Sequence, residues 1–306
     1  MRIAVLDDYQ TAAHDSADWG ALDVTFFADH LDDLDALAAR LAPFEVVVAM
    51  RERTAFPAAL IGRLPALRLL ITTGMANAAI DLDAAAAAGV TVCGTRMFAP
   101  STSELTWALI LSLVRHVPAE DAALRAGRWQ TTVGTELSGR CLGVVGLGNI
   151  GSQVATVGRA FGMRVVAWSA NLDPTHPDRV EKAELFRQAD IVTVHYKLSP
   201  RSVGIVGAAE LALMKPDAFL VNTSRGPVVD SGALVAALES GRLAGAALDV
   251  FDTEPLPADD PLRRAPNTIL TPHLGYVTRA GYHLAYGDAV EAIVAFAAGE
   301  PVRVLG

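Results

Sequence analysis

Cysteine is almost absent: Cys93 and Cys141 are the only two in 306 residues, and each sits inside or beside an apolar run. They lack the spacing of a metal or redox site and read as buried thiols, so no metal is expected. Positive charge is also in short supply. Twenty-five Lys and Arg face 34 Asp and Glu, for a net charge of −9, and no basic block occurs. That balance disfavours a nucleic-acid or anionic-membrane partner. No uncharged apolar run is long enough to span a bilayer. The opening Met1-Arg2-Ile3-Ala4-Val5-Leu6 meets Asp7-Asp8 at once, which reads as a first strand and not a signal peptide. A soluble cytoplasmic protein is expected. About half the residues are apolar, which excludes a disordered composition, and the length suffices for two domains with separate cores.

What is present is organised around Cys141 to Ser169. The apolar run Leu142 to Val145 meets Gly146-Leu147-Gly148-Asn149-Ile150-Gly151, a G-x-G-x-x-G. Residues at helical spacing follow, Gly162 closes them, and a second apolar run covers Val165 to Trp168. This is strand, tight turn, helix, strand: the unit whose glycines shape the turn, admit a pyrophosphate and let helix and strand approach. Free N–H groups and the positive end of the helix dipole then hold the phosphates. A phosphate-loop reading is excluded because no Gly-Lys-Ser/Thr follows. The second strand ends in Ser169, where an Asp or Glu usually binds the adenosine ribose. NADP is therefore permitted as well as NAD, and Asp173 is expected to lie too far along to substitute.

The rest of the chain alternates strand and helix. Strands are expected at Ile3–Leu6, Glu45–Met50, Leu67–Thr72, Val90–Cys93, Ile191–Val194, Phe219–Asn222, Ala246–Val250 and Ile269–Thr271. Helical spacing covers Leu31–Leu41, the alanine-rich Asp81–Ala88 stopped by Gly89, Ser231–Ser240 ended by Gly241, and about Thr278–Ala298. Strands apolar on both faces and separated by helices imply parallel sheets covered on both sides. Pro100 marks a boundary. Ser101 and Glu104 have capping-box spacing before a helix that is apolar nearly all round, as a connector between domains would be. Residues 122–140 read as a polar, glycine-containing approach to the nucleotide unit. The last helix is expected to return to the first domain.

Three polar clusters follow strands directly: Asn222-Thr223-Ser224-Arg225-Gly226, Asp249-Val250-Phe251-Asp252-Thr253-Glu254-Pro255 and Thr271-Pro272-His273-Leu274-Gly275. Ligands of open α/β sheets bind at those strand ends. Reducing a carbonyl needs a proton donor for the developing alkoxide and a fixed cation to polarise the carbonyl. Imidazolium supplies the first, aided by a nearby carboxylate, and the guanidinium fork supplies the second. Taken alone, a Thr-Pro-His turn is an ordinary surface loop and Asp249 a loop cap; their company with Arg225 and Glu254 makes the catalytic reading. Arg51 and Arg53 follow a strand and either meet an anionic substrate or are solvated. His195 lines the adenosine site or is structural; Trp107 and Trp168 read as core.

With these motifs in order and spacing (VVGLGNIG, VNTSRGPVVD, ALDVFDTEPLP, TPHLG), the chain resembles the D-isomer-specific 2-hydroxyacid dehydrogenases, especially glyoxylate/hydroxypyruvate reductase-like and phosphoglycerate dehydrogenase-like members. The resemblance covers nearly the whole chain. It implies an α/β protein of two Rossmann-like, doubly wound parallel-sheet domains with the active site in the cleft between them. Residues 1–99 plus 280–306 would form a flavodoxin-like substrate domain, and residues 100–279 the NAD(P)-binding domain. It implies catalysis by Arg225, Glu254 and His273. The cofactor, NAD or NADP, would meet Gly146, Gly148, Asn149, Ile150, Gly151, Ser169, Thr223, Arg225, Asp249, His273 and Gly275, with Asp249 at the nicotinamide carboxamide. A small 2-oxoacid or 2-hydroxyacid would meet Gly74, Met75, Arg51 and Arg225, its carboxylate held by backbone N–H groups of Thr73 to Asn77. A homodimer through the nucleotide domain is also implied.

Three departures stand out. The family loop G-x-G-V-D-N-V-D reads Gly74-Met75-Ala76-Asn77-Ala78-Ala79-Ile80-Asp81 here. Lys197 stands in place of a usual proline, where it could offer charge to a 2′-phosphate. Tyr276 replaces a small residue and is expected to narrow the active-site mouth. Formate dehydrogenase-like oxidation is the enzymatic alternative, disfavoured by the intact Glu254–His273 pair. A dinucleotide-sensing, corepressor-like scaffold is the non-enzymatic one.

Overall fold

Eleven strands, most of them runs of Val, Ile, Leu and Ala between turn residues, form among the described residues, 1–98 and 100–306 of the computed structural model. Residue 99, the expected domain boundary, lies outside them. Five strands, β1 (Arg2–Val5), β2 (Asp23–Phe26), β3 (Val46–Ala49), β4 (Leu69–Thr72) and β5 (Thr91–Gly94), make one parallel sheet in the order β2-β1-β3-β4-β5. Six more, β6 (Cys141–Val145), β7 (Arg164–Trp168), β8 (Ile191–Val194), β9 (Phe219–Asn222), β10 (Gly245–Leu248) and β11 (Thr268–Leu270), make a second, in the order β11-β10-β9-β8-β6-β7. The chain divides into two compact units, Met1–Phe98 with Tyr276–Gly306, and Ala99–Gly275.

In each unit the side-chain period of two sends alternate residues to opposite cores. Ile3 and Val5 of β1 face one cluster and Ala4 the other; Val46 and Val48 of β3 likewise oppose Val47 and Ala49. In the second unit Leu142 and Val144 of β6 oppose Cys141 and Val145. Both faces of each sheet are thus dry, which is why the strands read as unbroken apolar runs. The helix Arg279–Ala297 packs Tyr282, Tyr286, Ala289 and Ile293 against β1, β3 and β4 of the first unit. Thr278 caps it by accepting the Gly281 N–H. Both cysteines are buried free thiols.

Several expectations need correction. The helix after the boundary is Pro100–Val114, so Ser101 lies within its first turn and does not cap it. A proline suits that first turn because it has no N–H to satisfy. The helix packs Trp107, Leu109, Ile110, Leu113 and Val114 into the core of the second unit, alongside β6 and β9. The polar approach at 122–140 begins inside a helix, Val117–Arg125. Trp168 is only half-buried, its ring stacked on Tyr196 at 5.8 Å, with the Lys182 ammonium 5.5 Å from its centre. Strand β2 had no apolar run to announce it, because Asp23 and Thr25 are exposed at the sheet edge.

Candidate active site

In the second sheet all pairings are parallel, so the loops after β6, β7, β8, β9, β10 and β11 emerge at one edge. Strand β6 lies between β7 and β8, which makes the loop after β6 the point where the winding reverses. That loop is the glycine turn. Gly146 has a φ of +96°, and a Cβ there would stand 2.6 Å from the His195 carbonyl oxygen. A Cβ on Gly151 would overlap the Gly146 carbonyl oxygen. Gly148, by contrast, has nothing within 4 Å of its missing side chain.

The N–H groups divide the same way. Gly146 donates to Trp168 O at 2.8 Å and Leu147 to Ser169 Oγ at 2.8 Å, so Gly146 and Ser169 shape the turn. The helix Asn149–Ala160 starts at Gly148 with no side-chain cap. Its first N–H groups, Asn149 and Ile150 among them, form an uncapped positive end beside open space. An open approach at one glycine, close packing at the other two and an uncapped helix start fit a dinucleotide pyrophosphate.

After β9, Asn222 folds the next residues around its own side chain. Its Oδ1 accepts the Ser224 N–H and hydroxyl at 3.0 and 2.9 Å, and its Nδ2 donates to Arg225 O at 3.0 Å. Arg225 Nη1 in turn donates to Ser224 O at 2.8 Å. Thr223 is buried, its hydroxyl 2.8 Å from that of Thr106. Since Thr106 donates to Thr102 O at 2.8 Å, its single hydroxyl hydrogen is committed and Thr223 is the donor between them. A Cβ on Gly226 would collide with the backbone of Phe251 and Asp252. This glycine therefore presses the Arg225 loop against the loop that carries Glu254.

Asp249, after β10, is wholly buried. Oδ1 accepts the Thr271 hydroxyl at 2.6 Å and the Leu274 N–H at 2.7 Å; Oδ2 accepts the Gly275 N–H at 2.9 Å. Burial pushes its carboxyl above the usual range, opposed by the bonds from Thr271 and Leu274. Asp249 was expected at the nicotinamide carboxamide, but both its oxygens are engaged in shaping the Thr271–Gly275 turn. Thr102 closes that turn from the helix, its hydroxyl donating to Gly275 O at 3.0 Å. Held this way, His273 adopts a left-handed φ of +53°, strained for a residue with a side chain.

The strain has a purpose in the next contact. His273 Nδ1 lies 2.6 Å from Glu254 Oε2, with the imidazole only 11% and the carboxylate 17% exposed. Glu254 Oε1 accepts the Phe251 N–H at 2.9 Å. A carboxylate fixed at one oxygen by backbone and offered at the other to Nδ1 sets that nitrogen as the protonated one. Arg225, Glu254 and His273 therefore stand on consecutive loops of one sheet edge. His195 does not join them. Its Nε2 bonds Thr193 Oγ1 at 2.8 Å, and burial pushes the imidazole down to about 3, so it is a neutral structural residue.

In the first unit, Arg51 and Gly74 meet. Arg51 Nη1 donates to Thr73 O at 2.9 Å and occupies the space a Cβ on Gly74 would need. The turn at Arg51, with φ of +51°, is fixed by its N–H to Thr73 Oγ1 at 2.9 Å and by Asn77 Nδ2 to its carbonyl at 2.6 Å. The expectation that Thr73 and Gly74 offer N–H groups to a carboxylate needs correction. Thr73 donates to Ala49 O at 3.0 Å and Gly74 to Thr95 Oγ1 at 2.9 Å. Met75, half-exposed, and Ala76 follow with no such partner among the described residues. Tyr276 is buried against Tyr282, its hydroxyl accepting from Arg53 Nη2 at 3.1 Å, in the core of the first unit. Sequence reasoning passed over Asn222, Thr106 and Thr95. Only Asn222, first after a strand in a polar cluster, carried a signal.

The model of the D-isomer specific 2-hydroxyacid dehydrogenase NAD binding domain matches residues 107–275. A glyoxylate reductase from Aeropyrum pernix is 38% identical over 260 residues, 79% of this chain and 76% of that protein. A hydroxypyruvate reductase from Blautia hydrogenotrophica is 29% identical over 100% of this chain and 99% of that protein. The chain spans about half the length of the D-3-phosphoglycerate dehydrogenases it matches, 51% of the one from Bacillus subtilis. The crystal structure of a phosphoglycerate oxidoreductase from Vibrio cholerae O395 superposes with a TM-score of 0.93 at 38% identity, covering 98% of this chain and 99% of that one. Among the described residues no helix is long and apolar enough to cross a membrane. The chain belongs to the D-isomer specific 2-hydroxyacid dehydrogenase family and is an NAD(P)-dependent oxidoreductase of that family.

Proposed function

We propose that the chain reduces small 2-oxoacids of the glyoxylate and hydroxypyruvate type to D-2-hydroxyacids. The observation that carries this is the 2.6 Å Glu254–His273 contact on the loop edge shared with Arg225. The bound nicotinamide coenzyme supplies the hydride. Gly148, Asn149 and Ile150 hold its pyrophosphate, while Gly146, Gly151 and Ser169 keep the turn in shape. Arg225 binds the substrate carboxylate and polarises the carbonyl. His273, with Nδ1 held by Glu254, passes a proton through Nε2 to the carbonyl oxygen as negative charge develops there. Asp249 and Thr102 hold the turn that carries His273. In the first unit, Arg51 and the N–H groups of Met75 and Ala76 are the groups offered to an anionic substrate.

The full-length match to a hydroxypyruvate reductase supports a short substrate. Turnover of glyoxylate, hydroxypyruvate, phosphohydroxypyruvate and a branched 2-oxoacid, each with NADH and NADPH, tests the reading. It expects the first two to have the highest kcat/KM; no turnover of any would refute it.

Pairing of two copies belongs to the same reading. Val117, Leu124, Trp129 and Val133 are exposed along residues 117–133, Trp129 at 76% and Val133 at 93%. Exposed apolar side chains in this segment of the nucleotide domain support that pairing. Sedimentation should give twice the 32.2 kDa chain mass, and Trp129→Glu should halve it; a monomeric wild type would remove this part.

A further inference from the structure

A second histidine, outside the machinery above, is bracketed by two carboxylates. His30 Nδ1 is 2.8 Å from Asp7 Oδ1, and its Nε2 is 3.0 Å from Asp32 Oδ1. A neutral imidazole has one N–H and one lone pair, so it can satisfy only one of these acceptors. Both contacts together require the imidazolium. Asp7 is buried, lies two residues beyond the end of β1 and has a left-handed φ of +57°, so its backbone is held against its own preference. Its second oxygen, Oδ2, accepts the buried Thr54 hydroxyl at 2.8 Å. Thr54 ends the turn that begins at Arg51. That turn is anchored to Thr73 and Asn77 on one side and to Asp7 on the other.

We propose that His30 is a positioning residue: through Asp7 and Thr54 it fixes the turn that presents Arg51, and its protonation sets affinity for the anionic substrate. This rests on the reading that Arg51 is offered to the anionic substrate. The groups facing the ring are few. Asp7 comes from the end of β1, and Asp32 and Asp29 from the connection after β2. Asp29 is neutralised by Arg40 of the helix Leu34–Leu41, at 2.9 and 2.6 Å. The Tyr9 hydroxyl lies 3.4 Å from Asp7 Oδ1, and its titration is pushed upward by burial, so it stays neutral.

The Asp7 hydrogen bond raises His30 above the usual imidazole value, outweighing burial. The sign follows. The imidazolium and both contacts are present below the ordinary imidazole range and persist through it. They are lost as pH rises through the raised folded value. Asp32 is 92% exposed and can turn to water; Asp7 cannot. A neutral ring then leaves Asp7 with a weaker partner, and the Thr54 end of the turn slackens. Arg225, Glu254 and His273 keep their own hydrogen bonds.

The test uses the full chain with hydroxypyruvate between about pH 6 and 9, where imidazole and its raised forms titrate. Each variant is read against wild type at the same pH, so that the pH dependence of proton transfer itself cancels. The His30→Gln to wild-type KM ratio should be about three- to tenfold at pH 6 and approach one at pH 9, with the two kcat values within about twofold of each other at every pH, the signature of lost uniform binding. Thr54→Val cuts the relay without touching the ring and should behave alike. An unchanged KM profile in both variants, or a loss confined to kcat, overturns the proposal. If His30→Gln does not fold, Thr54→Val decides alone. If the wild type turns over no 2-oxoacid, the functional reading fails separately. The relay is then judged by NMR, from amide signals of Glu52, Arg53 and Thr54. Movement with the His30 ring titration supports it, and stillness overturns it.

Discussion

Glu254→Gln isolates the role of the carboxylate behind His273, and the structure dictates how the amide must sit. Phe251 N–H needs an acceptor at 2.9 Å, so the Gln carbonyl oxygen takes the place of Oε1. The NH2 group then replaces Oε2, 2.6 Å from His273 Nδ1. A donor now faces that nitrogen, which must present its lone pair and move the proton to Nε2. Forming the imidazolium would set two N–H groups against each other. A charge-assisted hydrogen bond of about 1.5–3 kcal/mol is removed from the protonated state. At about 1.4 kcal/mol per factor of ten, kcat should fall roughly ten- to a hundredfold. The volume and the Phe251 bond are kept, so the fold and coenzyme binding should barely change. Steady-state kinetics on the best 2-oxoacid, with coenzyme Kd from fluorescence titration, measures both. A kcat within about threefold of wild type, or a Kd that worsens as much as kcat falls, would refute the reasoning.

Other consequences are as concrete. Arg225→Lys replaces a planar fork with a point charge and should lower kcat/KM by about a hundredfold or more; a loss under about fivefold would count against carboxylate recognition by Arg225. Gly151→Ala puts a methyl group against the Gly146 carbonyl oxygen and 3.2 Å from Val144 Cγ1. Coenzyme Kd should rise about tenfold and Tm should fall by several degrees, both readable in one titration and one melt. His195 stays neutral in the fold down to about pH 3, whereas the unfolded ring protonates near 6.5. Proton uptake by the unfolded chain therefore costs stability as pH falls between those values. His195→Asn should flatten that part of a denaturation-versus-pH curve, and an unchanged slope would contradict the assignment.

Much of the framework was legible because two-sided burial writes itself as apolar runs. Strands β8 and β9 coincide with their expected limits, and others differ by one or two residues at their ends. Glycines and capping residues marked helix ends: Asp81 caps its helix by accepting the Ala84 N–H at 2.9 Å, and Gly89 follows with φ of +70°. Short helices such as Ala58–Ile61 and Lys182–Gln188 escaped because one or two turns carry too few periods. At the site, the types at the strand ends were readable, but their hydrogen bonding was not. Nothing in the motif says that Asp249 faces inward to hold Leu274 and Gly275, or that Thr95 consumes the Gly74 N–H. The His30–Asp7–Thr54 chain was invisible for the same reason, since its members lie 23 and 47 positions apart in loops with no pattern of their own.

The central claim is that His273 transfers a proton during reduction of a 2-oxoacid. The kcat of His273→Asn on hydroxypyruvate, with NADH or NADPH, addresses it most directly. A fall of about a hundredfold or more, with coenzyme still bound at near wild-type Kd, is the result this account predicts. Turnover within a few-fold of wild type would contradict it.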